Sequence, residues 1–385
     1  MAANRWERRL GRWTRDGVID AATAERIRAY EARHEESQGL RWPVLLAISL
    51  GGILLGAGVL LFVAAHWEKF SPGARFGLVL SLVALFHIAA AFASERFPVL
   101  STTLHAVGTI SVGAGVFLAG QIFNLQEHWP GGLLLWTLGA WAAYALLHTW
   151  PQATLAAVLT PMWLSSEWLV ATGSSIGKSK ILAQGLLLLA ITYLTALLPD
   201  RKTRVREALV WIGALALIPS VLLVIVAGIE SDWGKFWPPG LTQASGWIAA
   251  LSLPLALAWV LRRGASWMNL IAALWVVALG TTNLPSMRNA TALGYVWREL
   301  GPYAVCLLGA VGLIAWGLQE ARKERINLGV AGFALTLLFF YFANVMDKLG
   351  RSLSLIGLGL LFLLGGWLLE RTRRRLVARL ERNSS

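Results

Sequence analysis

The sequence is poor in charged residues and has almost no cysteine. Charged side chains make up 14% of its 385 residues, against about 25% in soluble globular domains. A chain that is also 56% hydrophobic has too little polar surface to form a water-soluble globule. The single cysteine, Cys306, excludes an intramolecular disulfide and a cysteine-cluster metal site, and we interpret it as a packing residue.

The motifs of several common enzyme classes are absent as well. The sequence has no Walker loop, so it lacks the phosphate-binding element of most ATPases. It has no HExxH, CxxC or GxSxG pattern either, which leaves zinc proteolysis, thiol redox chemistry and elbow-type serine hydrolysis without support. We therefore predict no catalytic residues, no metal site and no cofactor.

Long apolar runs, in contrast, are abundant. Runs of about 18 to 24 residues with almost no charge are long enough to cross a hydrocarbon core as helices. They predict an all-α, polytopic transmembrane helix bundle. The twelve runs are 43–66, 74–93, 101–120, 132–149, 152–171, 180–198, 207–228, 243–261, 265–283, 300–319, 326–346 and 352–369. Only Thr149, Trp150 and Pro151 separate the fourth run from the fifth, and the proline favours a break there.

The basic residues are concentrated in alternate gaps between these runs. With a cytoplasmic N-terminus, 25 of the 34 Lys and Arg residues fall inside and 9 fall outside, as the positive-inside rule requires. An even number of helices then places both termini in the cytoplasm. The net charge of +13 follows from this topology and from attraction to anionic membrane lipids, so we predict no nucleic-acid partner.

The chain divides into four predicted regions. They are a cytoplasmic amphipathic helical segment (1–42), tandem-repeat transmembrane hairpins (43–149), the remaining transmembrane bundle (150–369) and a basic cytoplasmic tail (370–385). In the first region, Asp20 is a candidate N-cap for a helix from Ala21 to His34, and Gly17 and Val18 form a turn before it. We expect this region to lie on the membrane surface or to bind a protein partner.

An internal repeat marks the tandem hairpins. The first copy contains Gly56-Ala57-Gly58-Val59, His66-Trp67 and Pro72-Gly73, and the second contains Gly113-Ala114-Gly115-Val116, His128-Trp129 and Pro130-Gly131. The copies are offset by about 60 residues, which indicates duplicated out-and-back hairpins of the same orientation.

Three of these segments resemble one family. They are Trp13 with Gly17-Val18-Ile19, the helix from Gly56 to Trp67, and the segment from Gly120 to Pro130 that begins Gly-Gln-Ile-Phe. Over about residues 10 to 150 the chain resembles the DUF2157 family of bacterial membrane proteins, and Asn327 to Leu369 resembles the related C-terminal hairpin more weakly. The resemblance implies a multi-pass protein of the bacterial cytoplasmic (inner) membrane. It implies no activity.

Polar residues within or beside the apolar runs are the candidate site, because placing them in hydrocarbon is costly. His87 and His105 lie on consecutive antiparallel runs at depths that differ by only about 3 Å, so we expect them to face each other. As a pair they would form a proton relay or substrate site; the alternative is two independent core histidines bonded to backbone carbonyls. The candidates for a polar cluster at the outer surface are His66, Glu68, Gln121, Asn124, Glu127 and His128.

Three functions fit these patterns. The leading hypothesis is a transporter or flippase for a small amphipathic or lipid-like substrate, because it accounts for the many helices and the tandem repeat. The alternative is a non-catalytic sensor or envelope-assembly scaffold that recruits a partner through residues 1–42. An enzyme acting on a lipid-linked substrate is a third possibility, with only Glu127, Glu167 and the histidines as acid-base groups. Membrane lipids are the predicted partners, and the sequence does not indicate an oligomeric state.

The topology makes a direct prediction about accessibility. In a Cys306→Ala background, a cysteine at Ser231 should react with a membrane-impermeant maleimide from outside, and one at Ser384 should react only from the cytoplasmic side. The reason is the unequal distribution of basic residues across the gaps. Permeabilised cells, in which both positions should react, are the control, and labelling of both from outside would contradict this topology.

Overall fold

A computed structural model of the protein describes residues 10, 13–37, 70–122, 128–198, 202–230, 240–282, 292–344, 359, 360 and 363. Within these residues the fold is entirely helical. The α-helices are α1 (Ala21–Ser37), α2 (Pro72–Ala93), α3 (Pro98–Ile122), α4 (Pro130–Leu147), α5 (Trp150–Thr172), α6 (Lys180–Leu194), α7 (Arg204–Glu230), α8 (Leu241–Arg262), α9 (Trp267–Thr281), α10 (Ala292–Gln319) and α11 (Lys323–Asn344). A short 3₁₀ turn, Arg263–Ser266, joins α8 to α9.

The predicted all-α transmembrane bundle is confirmed. Ten predicted runs correspond to α2 through α11, whereas run 43–66 and nearly all of run 352–369 lie outside the described residues. Seven helical segments of the described chain are long and apolar enough to cross a membrane. One of the seven, Leu241–Thr281, comprises both α8 and α9. The predicted break at Thr149 is also observed, because α4 ends at Leu147 and α5 begins at Trp150.

The chain separates into two compact units, residues 1–75 and residues 76–385. In the first unit the predicted turn precedes α1. Gly17 has a φ of +70°, a left-handed conformation that glycine adopts without a steric penalty. The backbone N–H of Val18 donates to the carbonyl of Trp13 at 2.9 Å and closes the turn. Asp20 directly precedes α1, as expected of an N-cap.

In the second unit, α6 is the central helix. It packs against α5, α7, α8 and α9, and from Leu187 to Leu194 most of its side chains are buried. The largest core cluster joins residues of α6, such as Leu187, to Val224 of α7, Val276 of α9 and Val305 of α10. An apolar helix of only 15 residues is therefore surrounded by protein on most sides.

Proline inside a helix leaves a carbonyl without its usual donor, and the bundle supplies a substitute at one such position. Pro161 lies within α5 and has no N–H to donate to the carbonyl of Ala157, four residues earlier. The buried Tyr193 hydroxyl of α6 donates to that carbonyl at 2.7 Å. A side chain of a neighbouring helix thus satisfies the freed backbone group, as hydrocarbon surroundings require.

Glycines on several helices provide space for tryptophan rings. A Cβ atom on Gly113, in the predicted repeat motif, would lie 2.2 Å from the ring of Trp136. A Cβ atom on Gly246 would likewise overlap the ring of Trp168, and one on Gly309 would overlap the ring of Trp275. The Gly-Ala-Gly-Val motif of the second repeat copy is therefore a packing motif that brings α4 close to α3.

The backbones of α6 and α7 approach each other closely at Gly213. A Cβ atom there would be 2.3 Å from the backbone nitrogen of Leu194 and 2.5 Å from the carbonyl oxygen of Ala190. Gly213→Ala should therefore force the two helices apart and destabilise the folded protein by about 1–3 kcal/mol. Gly77→Ala is the matched control, because a Cβ atom at Gly77 meets no atom within 4 Å. Thermal unfolding of the purified variants in detergent tests this; equal melting temperatures would contradict the close packing.

Candidate functional site

The structure brings the two histidines of the predicted pair together. The Nδ1 atoms of His87 on α2 and His105 on α3 are 2.9 Å apart. One imidazole must donate and the other accept, so the pair holds a single proton between these atoms. Gly108 makes the contact possible, because a Cβ atom there would lie 2.8 Å from Nε2 of His87. The predicted contact is therefore observed, and the role of the pair stays a prediction.

A chain of polar side chains continues from the histidine pair into the bundle. The Thr109 hydroxyl donates to the carbonyl of His105 at 3.0 Å. The Gln152 amide on α5 in turn donates to the Thr109 hydroxyl at 3.5 Å. Gln152 and Thr109 are 0% and 1% exposed, so their polar groups need partners inside the protein. Gln152 has a second one, because its amide oxygen accepts from the Thr149 hydroxyl.

His128 has a partner that the sequence did not suggest. Its Nε2 atom lies 3.0 Å from Glu167 of α5, and the indole N–H of Trp163 donates to the same carboxylate at 3.0 Å. The His128 side chain is 54% exposed, so this contact adds at most about 1 kcal/mol to stability. Glu167, one of the few acid-base candidates in the sequence, thus joins α5 to the segment before α4.

The rest of the predicted outer polar cluster cannot be placed in the same way. His66, Glu68, Asn124 and Glu127 lie outside the described residues. Gln121 is in the last turn of α3, but its side chain also lies outside the description. Among the residues that the structure describes, no three metal-ligating side chains come together.

The described helices enclose an apolar groove of about 820 Å³, within the range of small-molecule sites. Its walls come from α6, α7, α9, α10 and α11. Residues that define the groove include Ile191, Leu217, Val221, Ile271, Trp275, Cys306, Leu308, Gly312, Trp316, Gln319, Gly332 and Phe339. Ile271 and Leu308 at its edge are 53% and 68% exposed, so the groove is open along its side.

Two tryptophans, Trp275 and Trp316, line the groove. The indole N–H of Trp275 donates to the carbonyl of Val305 at 2.8 Å, so the ring turns its apolar face to the groove without an unsatisfied donor. Trp211 and Trp259, in contrast, do not line the groove and are 69% and 67% exposed.

A cluster of charged residues lies next to Trp316 at one end of the groove. We call Arg262, Glu320, Arg322 and Arg325 the arginine cluster. Glu320 forms ion pairs with Arg262 at the end of α8 and with Arg325 in the first turn of α11. The indole N–H of Trp316 also donates to this carboxylate, at 2.6 Å.

The two paired arginines are almost completely removed from solvent. Arg262 and Arg325 are 2% and 1% exposed. Their guanidinium carbons lie 5.2 and 5.3 Å from the ring centre of Trp316, which is cation–π distance. Arg262 also donates to the carbonyl of Thr195 just beyond α6. The cluster therefore ties α6, α8, α10 and α11 together at one point.

The surroundings of Glu320 favour its charged form. Burial by itself raises the pKa of Glu320, but hydrogen bonds from Arg262 and Trp316 and the charge of Arg325 outweigh that effect. The pKa of Glu320 therefore lies below its ordinary value. A permanently charged carboxylate is what the buried arginines require.

Sequence reasoning missed the arginine cluster. Arg262, Arg322 and Arg325 counted only as basic residues of two interhelical gaps, which predicts solvated side chains. One available signal was the four-residue spacing of Trp316 and Glu320, which puts the indole and the carboxylate on one helical face. Nothing in the sequence placed Arg262 beside them, because 58 residues separate it from Glu320.

Comparison with known proteins bears on the first part of the chain. Residues 11–153 match the DUF2157 family model, described as a predicted membrane protein. The predicted resemblance over about residues 10 to 150 is thus confirmed, and with its apolar helices the chain is a multi-pass membrane protein. The match includes the histidine pair and ends before the groove. No curated protein and no solved structure matches the chain.

Removing the carboxylate of the arginine cluster tests its structural role. Glu320→Gln leaves two buried arginines without a counter-charge and should destabilise the fold by about 3–5 kcal/mol. Glu324→Gln is the matched control, since Glu324 is an exposed carboxylate four residues away. Thermal unfolding in detergent gives the comparison, and equal loss in both variants would contradict the assignment.

The same network predicts a pH dependence. Because its pKa is lowered in the folded state, Glu320 stabilises the fold at pH values above its ordinary pKa. This contribution is lost as the pH falls through the lowered pKa. The difference in melting temperature between the wild type and Glu320→Gln should therefore be constant near neutral pH and shrink under strongly acidic conditions.

Proposed function

We propose that this protein moves a small amphipathic or lipid-like molecule across the bacterial inner membrane, and that the groove holds the hydrocarbon part of that molecule. The observation that carries the proposal is the groove itself. An apolar concave surface of this size between membrane helices suits an apolar ligand, because water gains nothing by occupying it.

The length of the groove supports transport rather than surface binding. It follows α10 from Pro302 to Gln319, and at about 1.5 Å per residue this is roughly 25 Å. The hydrocarbon core of a bilayer is about 30 Å thick. A molecule that travelled along the groove would stay in contact with protein through most of the membrane.

The open side of the groove supports the lipid-like class of substrate. Exposed apolar residues such as Leu308 form its edge, so a molecule dissolved in the bilayer can enter sideways without passing through water. The predicted topology places the arginine cluster on the cytoplasmic side, where basic residues are concentrated. The proposed path therefore has the basic arginine cluster at its cytoplasmic end, and its outer half is apolar.

Filling the groove should block transport without unfolding the protein. Gly312 lines the groove, and a Cβ atom on it meets no atom within 4 Å. Gly312→Leu should therefore fold normally and slow the movement of fluorescent lipid analogues across reconstituted vesicles by about tenfold or more, since one or a few misplaced methylenes cost that much in an apolar site.

Gly77→Leu is the matched control for this experiment. Gly77 also lies in an apolar helix with open space around it, but it is not part of the groove. It should transport as the wild type does. Wild-type transport by Gly312→Leu at equal reconstitution would exclude the groove as the path and favour the scaffold hypothesis. Loss of folded protein in Gly312→Leu alone would indicate that the chain itself fills the groove.

A further inference from the structure

The arginine cluster carries more positive charge than its single carboxylate can neutralise. The cluster contains three arginines and a single carboxylate, that of Glu320. This carboxylate already accepts hydrogen bonds from Arg262, Arg325 and Trp316. Arg322 is close enough to Arg325 for their charges to repel each other. Among the residues that the structure describes, two positive charges of the cluster therefore have no paired carboxylate.

The surplus charge coincides with unpaired hydrogen-bond donors. One terminal nitrogen of Arg325, a residue that is only 1% exposed, is buried and has no hydrogen-bond partner within the described part of the chain. The Nε atom and one terminal nitrogen of Arg322 are also buried without partners. Leaving charged donors unsatisfied away from water is costly, so these atoms point to a ligand that accepts hydrogen bonds and carries negative charge.

The chemistry of guanidinium selects the ligand class. Its planar fork of N–H groups matches the tetrahedral oxygens of phosphate in paired hydrogen bonds. Basic pockets between membrane helices on the cytoplasmic side are a recurrent type of site for phosphorylated lipid headgroups. The cluster already contains one carboxylate. A ligand with a single negative charge would not neutralise the remaining positive charge, whereas a phosphate group can carry two negative charges.

The position of the cluster connects this site to the groove. Trp316 lines the groove, and the guanidinium groups of Arg262 and Arg325 lie at cation–π distance from its ring. Gln319, the last groove residue of α10, directly precedes Glu320. Arg322 is only partly buried, so it links the surface of the protein to the fully buried Arg325.

We propose that the molecule in the groove bears a phosphate group, which Arg322 and Arg325 bind while the Glu320 carboxylate holds Arg325 in position. This inference rests on the proposed function, because it assigns the polar end of the same substrate. The hydrocarbon part lies on the groove side of Trp316 and the phosphate on the arginine side.

The single native cysteine provides the test. Cys306 lines the groove and is partly buried, so a ligand there should slow its reaction with a small maleimide. Purified full-length protein in a neutral detergent is titrated with phosphatidic acid or with diacylglycerol of the same acyl chains, which differ only by the phosphate. Phosphatidic acid should protect Cys306 at a concentration about tenfold lower or more.

Variants of Arg322 then identify the phosphate contact. Arg322→Gln removes a guanidinium whose buried donors have no partner, so the fold loses no paired contact there. This variant should lose most of the preference for phosphatidic acid, and Arg322→Lys should keep part of it. Lys202→Gln is the control: it removes the same charge at an exposed position of the same predicted cytoplasmic side, and it should keep the full preference.

The possible outcomes separate this inference from the proposed function. Equal protection of the wild type by both lipids would overturn the phosphate site and leave the groove intact. An equal loss of preference in Lys202→Gln would also overturn it, since general surface charge would then be the cause. Protection by neither lipid would contradict the groove and the lipid phosphate together. If, in that case, inorganic phosphate raised the melting temperature of the wild type but not of Arg322→Gln, the site would belong to free phosphate.

Discussion

Polar groups within these apolar helices have to find their partners inside the protein, because hydrocarbon offers none. Two hydrogen bonds between helices illustrate this rule. The Tyr193 hydroxyl satisfies the carbonyl freed by Pro161, and the indole of Trp275 donates to the carbonyl of Val305. These bonds fix the rotation and depth of each helix against the next, and so they determine which faces remain for the groove.

The apolar surroundings also determine how the helices come close to one another. Lipid chains are as apolar as leucine, so burying leucine between helices gives little net attraction in a membrane. Small residues instead let backbones and large rings come near, as Gly213 does for α6 and α7 and Gly113 does for Trp136. These glycines therefore serve packing, whereas a Cβ atom at Gly312 of α10, which lines the groove, would meet no atom within 4 Å.

The arginine cluster departs from this rule in an informative way. Most buried polar groups of a folded protein are satisfied, and exceptions concentrate at functional sites. In the described part of the chain, the buried side-chain atoms without a hydrogen-bond partner include Gln184 Oε1 and Asn269 Oδ1 as well as three donors of Arg322 and Arg325. Only the arginine donors carry positive charge, and they lie beside the groove. Their coincidence with surplus positive charge is the reason to assign a negatively charged ligand to this point. The family-matched region, residues 11–153, contains the histidine pair but no part of this arrangement.

The sequence by itself determined the helices and one contact between them. Length and apolar composition define a membrane helix almost completely, because the thickness of the bilayer fixes the number of residues. The contact of His87 with His105 was predictable for the same reason, since depth in consecutive antiparallel helices follows from counting residues. Only the tertiary structure decided the groove and the arginine cluster. Arg262 and Glu320 meet because α8 and α10 turn particular faces towards each other, and those faces are set by packing between helices far apart in the chain, which the hydropathy of each helix does not encode.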